Sequence, residues 1–147
     1  VLEKYQDYLK LNKSILLAFF ASITISAIFA QLLSSEVAFL NSTLTLMVDY
    51  SVYFSTFGIL FYFDNKKKYL LDSKKIDGPR LRKDLIKLIS SLGIGEIIYT
   101  IIRWSVQYYL LTINYEPYLA SLISHGFSTI IYMIIVNVSV KITRLYK

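Results

Sequence analysis

The chain of 147 residues has no cysteine, which excludes disulfides, thiolate metal sites and a cysteine nucleophile. It has a single histidine, and no pair of metal-binding side chains stands at ligand spacing on a helix, so no metal is expected. HExxH, GxSxG, a Walker loop and a glycine-rich dinucleotide turn are all missing, and the short "GIG" at residues 93–95 lies inside an apolar run. No cofactor is expected from these gaps. An enzyme reading survives only as a membrane-embedded base, Glu96 or His125. Nucleic acid is not an expected partner either, because no RNP, zinc-finger or helix-turn-helix signature accompanies the net charge of +6.

What the chain does have is apolar length. Hydrophobic residues make up 55% of it, gathered into long runs with short polar segments between them. Four runs, at residues 14–34, 44–63, 85–111 and 118–142, reach the roughly 20 residues needed to cross a hydrocarbon layer. Backbone groups in lipid find no water, so spans of this length are helices. The first run is too long for a signal-peptide core and lacks a small-x-small cleavage site, so it reads as a retained span. The third is interrupted by "SSLGIGE", yet its length and the flank "WSVQYYLL" favour a span over an interfacial helix. The expected fold is therefore an all-α polytopic membrane protein, one four-helix transmembrane domain over residues 1–147.

The basic residues give the direction. Lys4, Lys10 and Lys13 precede the first span, and Lys141, Arg144 and Lys147 follow the last. Lys66, Lys67, Lys68, Lys74, Lys75, Arg80, Arg82, Lys83 and Lys87 lie between the second and third spans or at that edge. The connections around Glu36 and Glu116 contain neither Lys nor Arg, so fifteen of the sixteen basic residues fall on one side. The positive-inside rule then places both termini in the cytoplasm of a multi-pass protein of the cell membrane. The basic loop at residues 64–84 is a solvated topology determinant, or a surface for anionic lipid headgroups. Tyr62, Tyr108, Tyr109, Tyr115 and Tyr118 stand where aromatic rings anchor to the headgroup boundary.

Smaller features refine this outline. Leu2, Tyr5 and Leu9 stand at helical spacing, so residues 1–12 form an interfacial helix or a polar lead into the first span. Asn41-Ser-Thr matches a glycosylation acceptor on the expected outer side. Ala18, Ser22, Ser26 and Ala30 form a small-residue stripe, and Ser91 and Gly95 repeat the spacing on the way to Tyr99. Such stripes let helices approach closely, within the chain or between chains, and four short helices enclose little volume. Self-association or other transmembrane subunits are therefore expected partners.

Four ionisable side chains fall inside the spans: Asp49, Glu96, Arg103 and His125. At about 1.5 Å of rise per residue, Asp49, Arg103 and His125 reach similar depth on three neighbouring helices. Gln107 extends the face of Arg103 by one turn, and Glu96 lies two turns before it. Asp49 is the expected partner of Arg103, which leaves Glu96 uncompensated. Embedded charges mark either a polar cavity or a structural seam. In the first case Arg103 holds an anion while Glu96 or His125 carries a proton; in the second the charges fix helix packing or meet another subunit.

Four spans, both ends inside, a basic middle loop and the basic edge "VKITRLYK" superficially resemble small proteins that move polyprenyl-linked sugars. That likeness implies an oligomeric transporter or carrier of an anionic or lipid-linked substrate. It is a likeness of topology, which carries little functional information. The residues themselves favour a non-catalytic membrane subunit or scaffold packed within a larger membrane protein complex, a role that needs no site motif.

Overall fold

The computed structural model describes residues 2–144, apart from the side chain of Ser91. The expected packing step at Ser91 and the terminal Lys147 lie outside the described residues. Helix α1 spans Leu2–Leu32, α2 Ala38–Asn65, α3 Gly78–Thr112 and α4 Pro117–Ile142, with a 3-10 turn at Lys66–Tyr69 between α2 and α3. Among the described residues there is no strand. All four helices are long and apolar enough to cross a membrane, as expected for a multi-pass protein.

Local chemistry sets the ends. Asp77 caps α3 by accepting from the backbone N–H of Arg80 at 3.2 Å, with Pro79 in the first turn. The last turn of α3 closes through the Tyr115 N–H to the Leu110 carbonyl at 3.0 Å. Asn114 there takes a φ of 66°, a left-handed position that asparagine tolerates better than most side chains. Pro117 then opens α4 where its missing N–H costs nothing.

Residues 2–12 are helical and continuous with the first span in α1, which buries Leu11 among them and Ile15 beyond. Two boundaries differ from expectation. Residues 78–84 belong to α3, which shortens the basic connection to 66–77, pinned by a bridge between Leu70 and Ile76. α2 starts at Ala38, ahead of the expected 44, because Asn41, Ser42 and Thr45 are buried within the bundle. The "SSLGIGE" stretch is helical throughout.

The helices alternate in direction as two hairpins. Lys13 near the start of α1 meets Asp64 near the end of α2 at 2.9 Å. Asn12 and Asn137 exchange reciprocal 2.8 Å amide bonds between the start of α1 and the end of α4. α3 packs against both α2 and α4, so the four helices close into a ring. The small stripe Ala18, Ser22, Ser26 and Ala30 is fully buried, so this chain's own helices use it. Gly95 serves the same end on α3, where an added Cβ would stand 3.1 Å from Tyr132 and Val136 of α4.

The interior divides along its length. Toward the end that bears the termini, Leu11, Ile15, Phe57, Phe61, Leu88, Leu92, Val136 and Val140 pack as an apolar core. Toward the other end the buried residues are polar, among them Asn41, Asp49, Arg103, Gln107, Ser121, Ser124 and His125. The outside is apolar, with Phe20, Ile28, Ile59, Ile97, Ile101, Ile130 and Ile134 exposed. That inversion suits a chain whose solvent is lipid.

Candidate functional site

The polar interior centres on Arg103, the largest fully buried side chain. Each of its three guanidinium nitrogens is engaged. Nε donates to Asp49 Oδ2 at 3.3 Å, and Nη2 to Ser121 Oγ at 3.1 Å. Nη1 donates to Ser124 Oγ at 2.6 Å and also to the Gln107 side-chain oxygen one turn along α3. The guanidinium fork is thus filled from α2, α3 and α4.

Asp49 is equally occupied. Its Oδ2 also accepts from the Tyr99 hydroxyl, and its Oδ1 lies 2.8 Å from His125 Nε2. The same ring nitrogen lies 3.0 Å from Ser22 Oγ on α1, which brings the first helix into the network. Thr129 Oγ1 stands 3.3 Å from His125 Nδ1. Gln107 Nε2 donates to Asn41 Oδ1 at 3.0 Å, and Asn41 Nδ2 donates to the carbonyls of Ala30 and Leu33 at 2.9 and 3.0 Å. The polar side chains therefore tie all four helices, down to the last turn of α1. Asn41 is 1% exposed, so Asn41-Ser-Thr is no accessible glycosylation acceptor.

Asp49, Arg103, His125 and Gln107, singled out from the sequence, come together here. Glu96 stands beside them, in a crevice between α2 and α3 whose lining includes Asp49 and His125 as well as Tyr50, Tyr53, Tyr99 and Tyr132. The Tyr50 hydroxyl donates to the Glu96 backbone carbonyl at 3.2 Å and pairs with Thr100 Oγ1. Tyr53 donates to the Tyr132 hydroxyl at 3.3 Å. Glu96 Oε1 is buried and has no hydrogen-bond partner among the described residues. The crevice encloses about 10 Å³, the space of a single water molecule.

The sequence offers Ser22 and Tyr99 only a place in packing stripes and Asn41 only a glycosylation motif, and it does not single out Ser121 or Ser124. One signal for them was available: Ser121, Ser124, His125 and Ser128 recur at helical spacing on one face of α4. The tyrosines of the crevice are distinct from those read as boundary anchors.

Chemically, the cluster is closed. An anion would meet a guanidinium already bonded to Asp49, Gln107, Ser121 and Ser124, and both oxygens of Asp49 are in use. A buried ion pair is stable only when hydrogen bonds satisfy its remaining donors and acceptors, and here four acceptors meet the five guanidinium N–H groups. Among the described residues no three Asp, Glu and His side chains come together to hold a metal. Compared with known proteins, the chain matches no family model, and no curated protein or solved structure is significantly similar to it.

Proposed function

We propose that the chain is a non-catalytic integral membrane subunit or scaffold that packs within a larger membrane protein complex, seated with both termini in the cytoplasm. The observation that carries this reading is the cluster around Arg103, whose hydrogen bonds join α2, α3 and α4. Only about 10 Å³ of space remains beside Glu96, so the bundle offers packing faces rather than a passage. Fifteen basic residues on one side support the orientation.

Gentle solubilisation followed by native mass measurement tests the proposal. The wild-type chain is expected to travel with a partner protein or a second copy of itself. A wild-type chain that travels as a single species with no protein partner would sink the reading. A carrier of an anionic or lipid-linked substrate is the second reading, favoured by a basic pocket at the end of the bundle that bears the termini.

A further inference from the structure

At the end of the bundle that bears both termini, the helices open into a cup of about 620 Å³. Its walls come from every part of the fold: α1, the end of α2, the 3-10 turn, the start of α3 and Arg144 beyond α4. The floor is built rather than exposed, because Asn65 and Tyr69 are 6% and 3% accessible. Asn65 is held by donating to the Phe61 carbonyl at 2.9 Å, and Tyr69 by donating to Asp84 at 3.0 Å.

Lys10, Lys68, Arg80, Lys87 and Arg144 line the cup, against Glu3, Asp7 and Asp84. Two of the three acids already have partners within the cup, Asp7 with Lys68 at 2.7 Å and Asp84 with Tyr69. Arg80 donates Nη1 to the Lys68 carbonyl at 3.2 Å, which fixes its planar fork at the rim. Cations thus outnumber acids, and the acids do not converge into a metal-holding group.

We propose that this cup is a binding site for a phosphoryl group. The volume lies within the usual range for small-ligand sites. Arginine matches phosphate oxygens through two parallel donors, and lysines add point charges from other directions. The hydroxyl, amide and cationic donors around the cup suit an anion with several acceptor oxygens, with Phe61 the apolar side chain in the lining. The site depends on neither reading of the membrane-level core, because the apolar packing of Leu88, Leu92 and Val140 lies within the bundle and Arg103 belongs to the separate polar cluster.

The test uses the full chain in nanodiscs of neutral phosphatidylcholine at constant ionic strength. Two phosphomonoester probes are titrated, phosphatidic acid within the bilayer and glycerol phosphate in solution. Saturable binding of one probe molecule per chain is expected. The double variant Arg80→Gln with Arg144→Gln should weaken it by about tenfold or more, as for the loss of charge-assisted bonds. Lys75→Gln, in the connection outside the cup, should leave it unchanged. If the double variant does not fold, Arg144→Gln alone gives the same comparison from a residue beyond the last helix. Binding of phosphatidic acid alone assigns a lipid phosphate, whereas binding of glycerol phosphate assigns a soluble ester; either supports the site. Failure of both probes to saturate, or an equal loss with Lys75→Gln, overturns it.

Discussion

Asp49 and Arg103 are separated by 54 positions and meet at 3.3 Å across α2 and α3, each side chain about 1% exposed. Such a pair contributes little net stability relative to well-packed apolar side chains, because two charges must be stripped of solvent to form it. It does discriminate sharply between helix arrangements. A slip of α3 by one turn would remove Arg103 from Asp49, Ser121 and Ser124 together, leaving buried charges without partners.

Arg103→Ala should therefore be severe. Removing one member of a buried pair costs about 3–5 kcal/mol, mostly from the charge left behind. The expected outcome is loss of monodisperse protein in detergent and a lowered unfolding midpoint. The paired change Asp49→Leu with Arg103→Met should recover much of that loss, because no charge is stranded. Normal abundance and assembly of Arg103→Ala, with selective loss of anion binding, would instead make Arg103 a ligand site.

The depth arithmetic from the sequence brought Asp49, Arg103 and His125 to one level because uninterrupted helices keep a constant rise. The charge asymmetry was equally legible, since it resides in which connections lack Lys and Arg. The partners of the charges were not. Serine is common in spans and bonds equally well to its own helix, as Ser124 does to the Ala120 carbonyl at 2.7 Å, so the spacing of Ser121 and Ser124 with His125 marks a polar face without naming Arg103 as its partner. Glu96 and Arg103 share a helix face in the sequence; Arg103 bonds directly to Asp49, whereas Glu96 only lines a crevice with Asp49 and His125. The outcome depends on how tightly α2 approaches α3 at each level, which no single helix encodes.

Gly95 lets α3 approach α4 closely. A Cβ there would stand 3.1 Å from Val136 and from the Tyr132 ring, closer than ordinary van der Waals contact. Gly95→Ala is expected to destabilise the bundle by about 1 kcal/mol or more, as overpacking does. Gly93 and Gly126 have open space at the same position, so alanine at either should be tolerated. Thermal midpoints of the three variants in one detergent make the comparison, and equal loss at all three would contradict the packing account.

Asn12 and Asn137 form a reciprocal amide pair at 2.8 Å in each direction, joining α1 to α4 near the end that bears the termini. Hydrogen bonds between helices in membranes couple by about 0.6 kcal/mol on average and by about 1.7 at most. A double-mutant cycle with alanine at both positions should return a coupling within that range. Simple additivity would show that each amide is satisfied elsewhere, with α1 held to α4 by packing alone. Each Asn also has a local carbonyl partner, Tyr8 for Asn12 and Met133 for Asn137, which keeps the expected coupling modest.

The absence of cysteine makes the orientation directly measurable, since any introduced thiol is the only one in the chain. Glu36 and Glu116 lie in the two connections without Lys or Arg, and Lys75 lies in the basic connection. All three positions are exposed, so labelling reports the side of the membrane rather than burial. If basic residues remain in the cytoplasm, Glu36→Cys and Glu116→Cys should react with an impermeant maleimide applied to intact cells, whereas Lys75→Cys should react only after lysis. The reverse pattern would place both termini outside and move the basic cup to the external surface. Labelling at only one of Glu36→Cys and Glu116→Cys would break the four-span topology itself, because both connections must share a side when four helices alternate.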